Sequence, residues 1–104
     1  MTKKRFSVVA TIYNKKGQVL TTGENSYSKT HPLQSKYAIK VGLDDKIFLH
    51  SEISALSKLK KHHIPYKIVV ERYLADGTTA LAKPCPICDT AIREYGITEV
   101  EWTE

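Results

Sequence analysis

The alternation of strand-like and helix-like segments predicts an α/β fold built as three αβα layers. Residues 6–22 contain two β-branched and aromatic runs around the turn sequence NKKG, a pattern typical of an antiparallel hairpin. Later strand-like segments are separated by amphipathic helical ones, which indicates a sheet covered by helices. We therefore expect a mixed sheet of about four to five strands. Because 104 residues suffice for one core, we interpret residues 1–104 as a single domain.

Two helices are predicted between the hairpin and the next strand. The first begins near Thr30 and Pro32 and ends before Gly42, since proline favours the first turn of a helix and glycine often follows its last turn. Its buried face is expected to contain Leu33, Tyr37, Ala38 and Val41. The second covers about residues 50–61. Its expected buried stripe is Ile53, Leu56 and Leu59, and Lys58, Lys60 and Lys61 are expected to complement its C-terminal dipole.

The second half of the chain predicts a strand, a helix and a last strand. Residues 66–74 are rich in β-branched and aromatic residues and precede an Asp-Gly turn. The extended return to Pro84 is compatible with a hairpin arm or a loop. Pro86 fits the opening turn of a third helix that ends before Gly96, and ITEVEW is best interpreted as the last strand.

The charge of the chain is positive but unevenly distributed. Sixteen Lys and Arg against eleven Asp and Glu give a net charge of +5, whereas residues 84–104 are locally acidic. A basic surface attracts phosphate-bearing partners, although solvated lysines also account for such a charge. The sequence contains no apolar run long enough to span a bilayer and no signal-peptide pattern at its start. We expect a cytoplasmic protein without a membrane partner.

The two cysteines of the chain lie in one run, PCPIC, at residues 84–88. In a reducing compartment, such a pair is more typical of a metal or redox site than of a structural disulfide. Cys85 and Cys88, spaced i and i+3 across a helix N-terminus, would direct both sulfurs to the same side, where the helix dipole stabilises thiolates. A thioredoxin-like redox pair is the alternative, but it leaves the upstream HSE sequence unexplained.

A third metal ligand and a proton-transfer group are predicted on the second helix. Zinc in catalytic sites usually has three protein ligands, and His50 would complete the set begun by Cys85 and Cys88. This predicts one zinc ion per chain. Glu52 lies two residues further on, where a carboxylate can accept a proton and pass it to a leaving amine. For His50 taken alone, an ordinary partly buried histidine is the competing interpretation.

HSE at residues 50–52 followed by PCPIC at 84–88 resembles the His-x-Glu and Pro-Cys-x-x-Cys pair of the zinc-dependent cytidine-deaminase-like superfamily. The order of elements over about residues 6–103 is also similar to that family's core. The resemblance implies zinc held by His50, Cys85 and Cys88, with Glu52 as the proton shuttle. It implies hydrolytic deamination of an amino-substituted base, above all cytosine in a nucleoside, nucleotide or single-stranded nucleic acid.

The resemblance also suggests where the substrate would be contacted. The family often has an asparagine after the second strand that touches the sugar, and Asn25 has this place here, although a turn residue is an equal interpretation. Two further candidates are His31, in the loop before the first helix, and Pro84, directly before Cys85. Lys83 departs from the family, because transfer-RNA deaminases and many nucleotide deaminases usually have an acidic residue there.

A second function from another class is compatible with the same residues. A non-catalytic, zinc-stabilised module would use a basic face to bind nucleic acid or a protein partner. Fuller members of the resembled family continue with another helix and strand. We therefore expect the last sheet edge to be exposed or covered by another copy in a homo-oligomer.

Overall fold

The computed structural model describes residues 7–26, 30–43 and 49–104. The elements in chain order are β1 (Ser7–Tyr13), β2 (Val19–Glu24), α1 (Pro32–Lys40), α2 (Ser51–Ser57), β3 (Lys67–Tyr73), β4 (Thr79–Ala80), α3 (Pro86–Glu94) and β5 (Glu99–Trp102). Three helices alternating with a five-stranded mixed sheet confirm the predicted α/β class and are compatible with a cytidine-deaminase-like fold.

The sheet is centred on β1 and β3, which pair antiparallel along their full length. On the other side of β1 lies β2, also antiparallel. The second edge of β3 is shared: β5 pairs parallel with its first half and β4 pairs antiparallel with its last two residues. The predicted hairpin and last strand are therefore confirmed. The ambiguous return segment is a hairpin arm of two residues followed by a loop.

The first hairpin turns where its NKKG sequence predicts. Asn14 Oδ1 accepts hydrogen bonds from the backbone N–H groups of Lys16 at 2.9 Å and Gln18 at 3.0 Å. Gly17 has φ of +83°, a conformation that side-chain-bearing residues avoid. Local sequence alone thus explains this turn.

One hydrophobic core joins the helices to the sheet. Helix α2 packs against β1 and β2, and α1, α2 and α3 contact one another. The largest fully buried apolar side chains are Ile12, Ile53, Leu56, Ile68, Ile87, Ile92 and Val70. Helix α1 is also tied to α3 at the rim of this core, where Glu94 accepts a hydrogen bond from Tyr37 Oη and pairs with Lys40.

Helix α1 agrees with the predicted boundaries, whereas the end of α2 does not. Helix α1 begins at Pro32 and ends before Gly42, and it is capped by His31, whose ring Nδ1 accepts the Leu33 backbone N–H at 3.0 Å. Helix α2 ends at Ser57, so the predicted extension to residue 61 is wrong.

The backbone hydrogen bonding changes at the end of α2. The N–H groups of Lys58 and Leu59 bond to carbonyls three residues back, which tightens the last turn and ends the helix. Beyond the last helical residue, Lys58 Nζ donates to the Thr22 carbonyl of β2 at 2.8 Å. Of the three lysines expected to complement the C-terminal dipole, Lys58 directly follows the helix, whereas Lys60 and Lys61 lie further along the chain. Within the described part of the chain, no helix is both long and apolar enough to cross a membrane.

Candidate metal centre and adjoining cavity

The candidate metal centre lies where the N-termini of α2 and α3 meet. His50 is the residue that precedes α2, Cys85 is the residue that precedes α3, and Cys88 lies in the first turn of α3. Apolar side chains that follow in each helix, including Ile53 and Ile87, are buried in the common core. Hydrophobic packing of two separate helices therefore brings these three ligands together.

The distances within this cluster fit a zinc ion. His50 Nδ1 lies 3.2 Å from Cys88 Sγ and 3.5 Å from Cys85 Sγ, and the three candidate ligand atoms all lie within 4.8 Å of one another. In a tetrahedral zinc site, ordinary Zn–N and Zn–S bond lengths place nitrogen and sulfur about 3.6 Å apart. His50, Cys85 and Cys88 thus form a candidate metal site through Nδ1 and two sulfurs.

The two sulfurs differ in their readiness to ionise. A hydrogen bond with Cys88 lowers the pKa of Cys85 to about 4, with His50 adding to the shift and burial opposing it. The same hydrogen bond, together with burial, raises the pKa of Cys88 well above its usual value, and the nearby Glu52 adds to that increase. The directions of the two shifts make Cys85 the first of the two sulfurs to ionise. A bound dication would displace the thiol protons, as thiolates are the metal-binding form.

Glu52 is a buried carboxyl beside this centre. Only 6% of the residue is exposed, and its Oε1 accepts a hydrogen bond from Ser51 Oγ at 2.9 Å. Burial raises the pKa of Glu52, while backbone and Ser51 hydrogen bonds oppose the increase. Because its pKa is raised, this carboxyl holds a proton more readily than an exposed glutamate does, a property that suits a group that accepts and donates protons.

Gln34 supports His50 and is a residue that the sequence analysis missed. It is fully buried on α1, and its Oε1 accepts the His50 backbone N–H at 3.2 Å. A signal was available, because Gln34 precedes Tyr37, Ala38 and Val41 by three, four and seven residues and so belongs to the buried face. A polar residue on that face needs a partner.

Gly23 is a second missed residue, and it sets the approach of β2 to α2. A Cβ at this position would lie 2.4 Å from the Ala55 backbone nitrogen and 2.5 Å from the Ser51 carbonyl oxygen. Two residues earlier in β2, Thr21 Oγ1 donates to the Ala55 carbonyl at 2.9 Å. Position 23 therefore requires glycine, because the backbones of β2 and α2 are too close there to leave room for a Cβ.

A cavity of about 340 Å³ opens beside the candidate centre, a size within the range of small-molecule sites. His50, Glu52 and Cys85 contribute to its wall. At its edge, the Ser26 backbone N–H donates to the Leu49 carbonyl at 2.8 Å, which joins the end of β2 to the segment leading into α2. The candidate metal site and the carboxyl therefore both face a space that could receive a ligand.

The three residues that the sequence predicts to contact substrate lie in different places. Asn25 lines the cavity, and its Oδ1 accepts the Val8 backbone N–H at 3.0 Å. His31 caps α1 and is absent from the described cavity wall, while Pro84 lines a neighbouring depression. A role in substrate binding stays a prediction for all three. Arg72, at the end of β3, lines the cavity and was missed, because no local sequence pattern connects it to the zinc motif.

Comparison with known families agrees with this geometry. The family model described as the cytidine and deoxycytidylate deaminase zinc-binding region matches residues 1–104. Comparison with curated proteins finds no significant match. The family model covers the whole chain, and His50, Cys85 and Cys88 supply the clustered ligands that a zinc-binding region requires. The chain therefore belongs to the cytidine and deoxycytidylate deaminase zinc-binding family.

Proposed function

We propose that the protein is a zinc-dependent hydrolase that removes the amino group of a nucleobase, with cytosine in a nucleoside, nucleotide or single-stranded nucleic acid as the substrate. The observation that carries this proposal is the buried Glu52 carboxyl, which lines the same cavity as two members of the His-Cys-Cys cluster. Deamination needs a proton carrier at the metal, and Glu52 has the placement for that task.

His50, Cys85 and Cys88 would hold one zinc ion per chain. Two thiolates and a neutral imidazole balance the charge of the dication, and the Gln34 bond to the His50 backbone holds the start of α2 in place. When bound, zinc acts as a Lewis acid that lowers the pKa of water toward 7. His50 and Cys85 line the cavity, so substrate would approach the cluster from that side.

Glu52 would move the proton during the reaction. Hydrolysis adds the oxygen of water to the ring carbon, breaks the bond from that carbon to the amino nitrogen, and releases ammonia, so cytosine becomes uracil. The Glu52 carboxylate would accept one proton from water and pass it to the ring nitrogen. It would then accept the second proton, from the hydroxyl added to the ring carbon, and pass it to the amine, which leaves as ammonia while the carbonyl forms. The Ser51 hydroxyl orients the carboxyl through Oε1.

The second candidate is a non-catalytic zinc-stabilised module that binds nucleic acid or a protein partner. Its support is the net charge of +5, which favours phosphate-bearing partners. A purely structural zinc site has no need of a buried carboxyl facing a cavity. We therefore favour the enzyme.

Zinc analysis with an ammonia-release assay tests this choice. The panel contains cytosine, adenine and guanine nucleosides, nucleotides and short single-stranded oligonucleotides. We expect one zinc per chain and turnover that falls by a factor of about 100 to 10,000 in Glu52→Gln, the range for loss of a general acid–base group. The matched control is Glu99→Gln, at an exposed carboxyl on β5, which should retain both zinc and turnover. Full activity of Glu52→Gln would refute the proposed role.

We further propose that the protein is cytoplasmic and that it forms a homo-oligomer. Two free cysteines suit a reducing cytoplasm, where they stay available for metal. Among the described strands, the last strand, β5, pairs with β3 alone, and β2 pairs with β1 alone, and an unpaired edge favours self-association. Sedimentation of the zinc-loaded protein at several concentrations distinguishes a monomer from a homo-oligomer.

A further inference from the structure

The end of the sheet that carries the β1–β2 turn is strongly basic. Residues 13–20 and 58–67 together contain six lysines, two histidines and no acidic residue. The two segments are neighbours in the fold, because Lys67 is the register partner of Tyr13 and the Tyr66 backbone N–H donates to the Tyr13 carbonyl at 2.8 Å. We call the surface formed by these two segments the basic end. It concentrates positive charge that the net charge of +5 alone does not locate.

The basic end lies away from the cavity beside the candidate metal centre. That cavity is lined by Val8 and Arg72, which pair at the other end of β1 and β3. From this pair to Tyr13 and Lys67 the strands run for five residues, or about 17 Å at about 3.4 Å per residue. No residue of the basic end belongs to the described cavity wall. A ligand on this surface would therefore leave the cavity free.

Two hydrogen-bonded turns hold exposed lysines at the basic end. The β1–β2 turn carries Lys15 and Lys16. After α2, the His63 backbone N–H donates to the Lys60 carbonyl at 3.0 Å, and the His63 ring Nδ1 accepts the Lys60 backbone N–H at 2.9 Å. This second turn carries Lys60 and Lys61. Because both turns are already ordered, binding through them would cost little backbone entropy.

These four turn lysines carry charge that no ion pair neutralises within the described part of the chain. Strand β5 places carboxyls beside Lys67 instead: Glu99 is its register partner, and Glu101 pairs with its Nζ at 3.5 Å. Lys58 is also engaged, since its Nζ donates to the Thr22 carbonyl at 2.8 Å. The uncompensated charge therefore belongs to the two turns, an arrangement that attracts a polyanion.

Aromatic rings lie among these lysines. Tyr66 and His62 are exposed, and the centre of the His62 ring is 4.3 Å from that of His63. An exposed ring offers a face on which an unpaired base can stack, and stacked bases beside cation-bound phosphates are typical of single-strand binding without sequence preference. A free phosphate would use the lysines alone, whereas a nucleic acid strand would use the lysines and the rings.

We infer that the basic end binds single-stranded nucleic acid, with the four turn lysines on its phosphates and Tyr66 stacked on a base. A duplex keeps its bases stacked inside and would leave the Tyr66 ring without a partner, so the ligand is an unpaired strand. Because the surface is separate from the cavity, this binding does not depend on the proposed reaction. It would hold the protein on a strand whatever the cavity accepts.

The first test measures binding of a labelled oligothymidylate of about 12 nucleotides to the zinc-loaded protein by fluorescence anisotropy. Thymine has no amino group to remove, so turnover cannot obscure binding. Four lysine–phosphate contacts predict binding about 50-fold weaker at 200 mM than at 50 mM salt, from a slope of about −0.7 per contact. Lys60→Gln combined with Lys61→Gln should reduce that ratio to about sevenfold.

Lys36→Gln combined with Lys83→Gln is the matched control. It removes the same charge from two exposed positions, one on α1 and one at the cavity wall, and should leave the salt dependence unchanged. If both double variants reduced the salt dependence equally, the strand would respond to net charge or bind at the cavity, and the inference would be overturned. Absence of binding at low salt would overturn it as well.

The second test asks which kind of polyanion the surface accepts. Tyr66→Leu retains apolar bulk but removes the ring, and should weaken oligothymidylate binding by about fivefold or more, as loss of one stacked base does. A duplex of the same length, and vesicles of phosphatidylcholine with phosphatidylserine, should bind more weakly than the single strand. Binding of the duplex or of the anionic vesicles that equals or exceeds binding of the single strand would overturn the inference.

The same measurements separate this surface from the proposed deaminase. Oligothymidylate binding that depends on Lys60 and Lys61, without ammonia release from any nucleobase, would keep the surface and remove the deaminase proposal. Ammonia release from a nucleoside or nucleotide, without oligothymidylate binding, would do the reverse.

Discussion

At the scale of single residues, the metal cluster occupies positions that ordinarily cap helices. His50 and Cys85 precede α2 and α3, and neither side chain makes a capping hydrogen bond. Ser, Thr, Asp or Asn at such a position typically stabilises a helix by about 1 kcal/mol over a residue that cannot cap. Both helices therefore lack the stabilisation that a capping side chain would supply, because His50 and Cys85 belong to the cluster. Zinc binding would compensate for that loss.

This arrangement makes a prediction for His50→Asn. Asparagine is a strong capping residue, so in excess chelator the variant should be more stable than the unmodified protein by about 1 kcal/mol. Its zinc affinity should fall by at least about 100-fold, because one of three ligands is lost. Chemical denaturation and a competitive zinc titration measure the two effects.

His62→Asn is the matched control, since His62 is exposed and lies outside the cluster. It should change neither quantity. If His50→Asn retained full zinc affinity, His50 would not be a ligand.

At the scale of elements, the cluster depends on how α1, β2 and α3 surround the start of α2. Gln34 of α1 holds the His50 backbone. Cys85, directly before α3, and Cys88, in its first turn, bring their sulfurs to 3.5 and 3.2 Å from His50 Nδ1. Strand β2 approaches closely enough that Gly23 contacts the backbone of α2. Since α2 is only seven residues long, its position is set by these neighbours more than by its own helical propensity.

Gly23→Ala tests that dependence. The added Cβ would overlap the Ala55 nitrogen and the Ser51 carbonyl, so β2 and α2 must separate. We expect the free energy of unfolding to fall by about 1–3 kcal/mol, the usual cost of overpacking. Zinc affinity should fall as well, because the displaced helix carries His50.

Thr22→Ala controls for the change at β2. Thr22 is the neighbouring residue, its side chain is exposed, and its substitution should stay within about 0.5 kcal/mol. Thermal denaturation with and without zinc measures both variants. Stability of Gly23→Ala equal to that of Thr22→Ala would contradict the close approach of strand and helix.

At the scale of the whole molecule, the candidate centre joins distant parts of the chain into one folded unit. His50 and Cys88 are separated by 38 residues in sequence, and the unfolded chain cannot hold its three ligands together. A ligand that binds the native state alone stabilises it by mass action. Zinc should therefore stabilise the entire domain and not α2 alone.

Removal of zinc by a chelator should lower the thermal midpoint. At free zinc 100 times its dissociation constant, binding contributes about 2.7 kcal/mol, which corresponds to roughly 10–20 °C for a domain of this size. Calorimetry of zinc-loaded and chelator-treated protein measures the difference. Readdition of zinc should restore the midpoint, whereas equal midpoints for protein with and without bound zinc would contradict the coupling of metal binding to folding.

Much of the fold could be predicted because its signals are local. The Asn14 turn, Pro86 at the start of α3 and the alternating apolar residues of β3 each act within a few residues of sequence. The C-terminal end of α2 could not be predicted in this way. Leu59 continues the apolar pattern of the helix in sequence, but the helix ends at Ser57, and the N–H groups of Lys58 and Leu59 bond to carbonyls three residues back.

The identities and spacing of His50, Glu52, Cys85 and Cys88 were enough to predict a candidate ligand set and a candidate proton carrier. The surroundings of these residues depend on the folded chain. Gln34 and Arg72 act across elements through contacts between distant parts of the chain, and Gly23 matters through the space between a strand and a helix. A motif consists of residues close together in sequence and can be recognised there. The residues of a cavity wall come from distant parts of the chain, and only the packing of the whole fold brings them together.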